Sequence, residues 1–464
     1  KRVKTTTDRG IMLIVISDIH LAESQTNRLG NLLFNRNLPA IVYRNYFQEI
    51  AFSAEQNGVK KVDLVLAGDI FEMNRTGLWL QDNLRPYLRN EKIQTGSNEE
   101  QRILDILDAI AEDERVSETL EVFRALPSMF GMLIQVHYIP GNHDRLVNSS
   151  QAIREKARIF LGLEPNNDLF PNIYEYHTEN GPLALVRHGH EYDPVNFGMD
   201  VTALEEIPMY LPQSVYERPV LGNISTVEIA TKLPIIFKMH YTANKILRDE
   251  NLRSLYQRLI EFDDVRPSSA LLNFLFSTPG IKKKETWRIL EPVFVKIIRD
   301  IAESPYLVKK LEETANLNLA QSELIKGVLN LDIWHDGIPY WVIKRLMKSV
   351  SKNIRLDRVE YYVIKEKYIK EHGSGIRCVI TGHTHSPEVE LLTQKEGIQK
   401  YYINSGTWRS RIPSTPDLKE FDRLRSMTKV FIFGSEERDS EFERKNGWSF
   451  DFSTKLGYRF DYGD

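Results

Sequence analysis

Ten side chains able to hold a metal ion or move a proton fall into five short clusters: Asp18 with His20, Asp69 alone, Asn142 with His143 and Asp144, His188 with His190, and His383 with His385. They offer carboxylate, amide and imidazole donors and no sulfur, a set that suits Mn²⁺, Fe or Zn²⁺. Each cluster alone has a plainer reading. An Asp-x-His pair can be a buried hydrogen-bonded couple, Gly-Asp is a common turn, and Asn-His-Asp can close an Asx turn. Two histidines separated by one residue, twice in one chain, are harder to explain as core residues. Five clusters in equivalent places point to one shared site.

The equivalent place is the end of a buried strand. Apolar runs at 11–17, 62–67, 132–140, 183–187 and 377–381 each break off directly before one of the clusters. Short runs rich in branched residues are the pattern of strands covered on both faces. Loops at the carboxyl edge of such a sheet converge while the sheet holds them rigid. Helical spacing at 39–57 and 100–112 separates several of the runs, so strands alternate with helices and the fold class is α/β. Residues 73–99 read as an irregular surface excursion. From about 195 to 370 strand signals thin out and helical segments dominate, at 224–249, 251–262, 283–303 and 338–352. This stretch reads as an insert or cap, with 11–194 plus 371–440 as the catalytic domain and 441–464 as a C-terminal tail.

Taken in order, the motifs DIH, GD, GNHD, HGH and GHTH resemble the calcineurin-like metallophosphoesterase superfamily, over roughly residues 11–190 and 376–410. The resemblance implies a four-layer α/β/β/α sandwich, here carrying a long and mostly helical insertion, with two divalent metal ions at the sheet edges. It implies that Asp18, His20 and His385 hold one ion, that Asn142, His188 and His383 hold the other, and that Asp69 bridges them. His190 closes the HGH motif as a near neighbour of the metals. The resemblance also gives His143 the role of acid toward the leaving oxygen, and Asp144 is expected to orient it as a carboxylate orients an imidazole in a triad. Physical reasoning agrees with a shared carboxylate, because two cations about 3.5–4 Å apart repel and an anion between them offsets that. Mn²⁺ is the expected metal, with Fe or Zn²⁺ as alternatives.

Arg145, Arg409 and Arg411 follow the motifs closely enough to reach a substrate phosphate, though each has an equally good reading as a surface or Asp-paired arginine. His137 and Cys378 read as structural residues inside strands. In residues 338–352, Val342, Leu346 and Val350 form one stripe and Lys344, Lys348 and Lys352 another. That is an ordinary amphipathic helix, or a face for an anionic substrate or a lipid surface.

The chain has 464 residues, of which 42% are hydrophobic and 27% charged, so a disordered chain is excluded. A net charge of −3 excludes a globally basic nucleic-acid coat. A single cysteine rules out an intrachain disulfide and a cysteine-rich zinc module. No apolar run is expected to span a bilayer, no signal-peptide pattern is visible, and a cytoplasmic location is expected. Three functions compete. The first is a phosphodiesterase or nuclease acting on nucleotides or nucleic acid. The second is a pyrophosphohydrolase of a lipid-linked nucleotide, resembling bacterial UDP-diacylglucosamine hydrolases in the GDIFE run. It departs from them in GNHD, where many have Arg at the His position, and in its longer insert. The third is a catalytically idle scaffold, against which the complete ligand set argues. A phosphorylated substrate is the expected partner, with nucleic acid and peripheral membrane contact through the insert as further candidates and the oligomeric state unassigned.

Overall fold

The computed structural model describes residues 10–82, 84–85, 93–178, 181–199, 206–217, 219–315, 340, 359–371, 374–434 and 448–457. The strands in chain order are β1 (Ile11–Ile16), β2 (Arg28–Leu29), β3 (Leu32–Leu33), β4 (Lys61–Ala67), β5 (Leu133–Ile139), β6 (Tyr174–Thr178), β7 (Gly181–Val186), β8 (Val265–Arg266), β9 (Cys378–Thr381), β10 (Glu388–Lys395), β11 (Ile398–Asn404), β12 (Ser410–Pro413), β13 (Leu424–Gly434) and β14 (Trp448–Gly457).

Two mixed sheets carry the fold. One runs β5-β4-β1-β13-β12-β8, with β14 paired to β13, and the other runs β10-β11-β9-β7-β6. β1, β4 and β5 are mutually parallel, as are β7, β9 and β11, so their carboxyl ends share an edge. The sheets face each other across an apolar layer that includes Leu13, Val15, Val65 and Ile139 from one and Ala184, Val186, Ile380 and Ile403 from the other. The alternate side chains Met12, Ile14, Ile16, Val62 and Leu64 point outward beneath helices that include Ala40–Gln56 and Asn98–Ala111. On the far side Leu185, Val379 and Tyr402 lie under Tyr192, Val359, Val363 and Ile369. The result is the α/β/β/α sandwich expected from the motifs.

Four features depart from the sequence reading. Residues 448–457 are no tail: β14 pairs with β13 along its whole length. Its alternation of Trp448, Phe450 and Phe452 with polar residues is the period of a half-buried strand. Residues 73–82 are not a surface excursion, since Met73, Arg75, Thr76 and Trp79 are all buried. The segment after 195 does not stand apart either. Ile224, Val227, Leu233 and Phe237 pack in the same core as Leu21, Leu29 and Trp79, and β8 pairs with β12 at the edge of the first sheet. The run Gln213–Tyr241 is long and apolar enough to cross a membrane, contrary to expectation, but most of it is buried inside the molecule. Of the helices expected there, Lys283–Ala302 is present as one piece. The striped segment 338–352 falls outside the described residues, apart from Tyr340.

Candidate metal centre

The five clusters meet where the two sheets present their parallel strand ends. Asp18 and His20 follow β1, Asp69 follows β4, Asn142 to Asp144 follow β5, His188 and His190 follow β7, and His383 and His385 follow β9. The turns are sharp. Asp18, His20, Asp69, His383 and His385 all have φ between 52° and 67°, which makes five of the eight non-glycine residues with positive φ among the described residues. Such backbone is uncommon for residues with a side chain and is held in place only when the surroundings over-determine it. Gly68 (φ 86°) belongs to the same device: a Cβ there would overlap the His188 ring.

Two separate donor groups result, Asp18 with His20 and His385, and Asp69 with His188 and His383, and a third, His20 with Asp69 and His143, overlaps both; donor atoms in each lie within 4.8 Å of one another. Asp69 Oδ2 lies 3.2 Å from His188 Nε2 and 3.7 Å from His20 Nε2, so a single carboxylate oxygen faces both groups. Asn142 Oδ1 joins the second at 3.1 Å from His188 Nε2.

The hydrogen bonding fits a cation. His188 Nδ1 lies 2.9 Å from the Ala67 carbonyl, which can only accept, so Nδ1 carries the proton and Nε2 holds the lone pair. That lone pair confronts two more acceptors, Asn142 Oδ1 and Asp69 Oδ2. Either a metal or a second proton must resolve the conflict. In the metal-free protein burial pulls the His188 pKa down, but Asp69 and Asp18 outweigh it and raise it to about 10. The site therefore demands positive charge, and a divalent metal supplies it by displacing a proton. His385 is held neutral: burial and the Arg266 guanidinium push its pKa down to about 3. Its Nε2 sits 3.2 Å from Asp18 Oδ1 and 3.1 Å from His20 Nε2.

Polar partners behind the donors fix their orientation, as is usual around metal-binding histidines. Asp193 Oδ2 accepts a hydrogen bond from His383 Nε2–H at 3.0 Å, which leaves the lone pair on Nδ1. Glu72 does two things. Its Oε2 lies 3.0 Å from His20 Nδ1 and its Oε1 lies 2.7 Å from His143 Nδ1. The carboxylate partner of His143 is therefore Glu72, and the expectation for Asp144 is corrected. Asp144 accepts from the backbone N–H groups of Gly141, Ile70 and Phe71 at 2.6, 2.8 and 3.2 Å, tying the Asp69 loop to the Asn142 loop. Burial, followed by the nearby Asp69 charge, raises its own pKa to about 6. Glu72 was legible only as a glutamate three residues beyond Asp69, and nothing in that spacing names its partners.

The remaining expected residues divide. His190 is buried against His188, His383 and Phe197 and belongs to neither donor group. Burial, opposed by Glu191, sets its pKa near 4, so its ring is neutral. Arg145 turns away toward the segment after 195, donating from Nε to Asn223 Oδ1 at 2.8 Å and from Nη1 to the Tyr216 carbonyl. Arg409 is engaged by carboxylates, at 3.3 Å from Glu72, 2.9 Å from Asp263 and 2.8 Å from Asp264. Arg411 donates to Ser386 Oγ at 2.8 Å beside His385. Of the three arginines, it alone lies beside the donor groups without a carboxylate partner among the described residues. Arg266, which the sequence reading passed over, places Nη2 3.2 Å from His385 Nδ1.

The family model described as calcineurin-like phosphoesterase matches residues 11–253. With more than half of its length matched, the chain belongs to the calcineurin-like phosphoesterase family, and it is a binuclear metallophosphoesterase in class. His383 and His385 lie beyond the matched residues and reach the site through β9. Among solved structures, a dimetal phosphatase from Danio rerio aligns over 91% of this chain and 96% of its own, at 12% identity and a TM-score of 0.26. No curated protein gives a significant match.

Proposed function

We propose that this protein hydrolyses a phosphodiester or pyrophosphate bond, with a nucleotide or nucleic acid as substrate and Mn²⁺ as its metal. The observation that supports the reading is the Asp69 carboxylate facing two donor groups, with His143 directly beside it. Asp18, His20 and His385 would hold one ion, Asn142, His188 and His383 the other, and Asp69 both. When bound, two divalent cations supply positive charge to the phosphoryl oxygens and acidify the attacking water.

The chain's own residues complete the reaction. The His143 backbone N–H donates to Asp69 Oδ1 at 2.8 Å, so the ring is registered against the bridging carboxylate. Glu72 holds Nδ1, which directs Nε2 toward the centre. Burial lowers the His143 pKa, but Glu72 and Asp69 outweigh it and set it at about 9 in the metal-free protein. The ring is then an imidazolium at neutral pH and acts as a general acid, giving its proton to the leaving oxygen as the P–O bond breaks. Glu72 keeps the ring in position and stabilises its charged form.

A Mn²⁺-supplemented panel tests this reading: bis-p-nitrophenyl phosphate, single-stranded DNA, RNA, cyclic nucleotides and a UDP-linked lipid. Cleavage of the diester and the oligonucleotides is expected. Cleavage of the lipid alone transfers the assignment to a lipid-linked nucleotide, and no turnover with both metals loaded contradicts it.

A further inference from the structure

We propose that Arg266, a residue of the segment between the HGH and GHTH motifs, grips an unesterified oxygen of the substrate's phosphate, an inference that rests on the phosphoesterase reading above. Val265 and Arg266 form β8, which pairs with Ile412 and Pro413, so the backbone carrying the guanidinium is part of the catalytic sheet rather than a loose loop. Its neighbours are already spoken for. Arg75 and Arg409 each meet the Asp263 carboxylate. Among the described residues no carboxylate lies within ion-pair distance of Arg266. Nη1 donates to the Asp263 and Val265 carbonyls at 2.7 and 3.0 Å, and Nη2 lies 3.2 Å from His385 Nδ1.

That last contact cannot survive metal binding in its present form. His385 turns Nε2 toward Asp18 and His20, and for Nε2 to offer a lone pair the proton must sit on Nδ1. A protonated Nδ1 no longer accepts from Arg266. Loading the site therefore frees Nη2 at the edge of the metal centre. A half-buried guanidinium left with an open donor beside a phosphate-processing centre calls for an anion. A tetrahedral oxyanion matches its planar array of donors.

The test uses the full chain loaded with Mn²⁺, as wild type, Arg266→Ala and Arg266→Lys. Metal content is read by elemental analysis, inorganic phosphate affinity by calorimetry, and KM and kcat with bis-p-nitrophenyl phosphate. In Arg266→Ala we expect metal content to hold while the Kd for phosphate and KM rise about tenfold or more, the size of one charge-assisted hydrogen bond. Arg266→Lys should recover part of that loss, and kcat should change far less than KM. Unchanged phosphate affinity in a metal-loaded Arg266→Ala protein overturns the inference. Loss of metal or of the fold in both variants also overturns it, because Arg266 would then be a prop for His385. A wild type that turns over no ester, yet loses phosphate affinity on Arg266→Ala, contradicts the proposed function and leaves this inference supported.

Discussion

In the proposed reaction the chemistry that belongs to single residues falls to Glu72 and His143. His143→Ala is expected to keep both metals and to lose about 10²–10⁴-fold in turnover of a substrate with a poor leaving group. Steady-state kinetics with parallel metal analysis checks it, and normal turnover removes His143 from the mechanism. Glu72→Gln removes the charge that raises the His143 pKa. Activity needs the protonated ring, so it falls as pH rises through that pKa. The alkaline limb of the kcat/KM profile should therefore move to lower pH in Glu72→Gln. Bound cations push the limb downward in both proteins, so the difference between the two profiles is the readout, and an unmoved limb contradicts the role. The residues proposed as ligands could be picked out because each falls just past an apolar run. Glu72 could not, because a carboxylate in a loop acquires its meaning from His20 and His143, which lie on other strands.

At the scale of elements, the segment around β8 clamps the site. Asp263 binds Arg36, Arg75 and Arg409, and Arg409 in turn touches Glu72. Removing the carboxylate leaves buried guanidinium groups short of a counter-charge, which is costly in a dry interior. Asp263→Ala should lower the unfolding free energy by about 3 kcal/mol in a urea titration. It should also reduce turnover, because the support of Glu72 loosens; unchanged stability would show that Asp264 suffices. This clamp was invisible in the sequence, where 195–370 reads as a separate helical cap. Strand-end clusters announce themselves through residue type, whereas a two-residue strand at a sheet edge has no periodicity to detect. β14 was missed for another reason: its alternation is readable, but its pairing with β13 is set by tertiary contact rather than by local propensity.

Over the whole molecule, the centre couples metal, pH and stability. In the metal-free protein, burial raises the Glu72 pKa, but His143 and His20 more than reverse this and hold it well below its ordinary value. That stability is present above about pH 4.5 and is lost as pH falls. His143 and His188 are raised to about 9 and about 10, so their contribution is complete below about pH 6.5 and is lost as pH rises through those values. Burial holds His190 near 4 and His385 near 3, so their contribution is lost as pH falls below about 6.5, and melting of chelated protein should be most resistant near about pH 6.5. Metal at a thousand times its Kd should add about 4 kcal/mol, and a pH-independent melt without metal contradicts the coupling. The sandwich itself was legible from five apolar runs ending in polar clusters, since buried parallel strands leave little freedom in where their ends meet. The most direct test of the central claim is an anomalous difference map from a Mn²⁺-loaded crystal. The account predicts two peaks about 3.5–4 Å apart with Asp69 between them, one beside Asp18, His20 and His385, the other beside Asn142, His188 and His383. Peaks elsewhere, or a single peak that does not touch Asp69, contradict it.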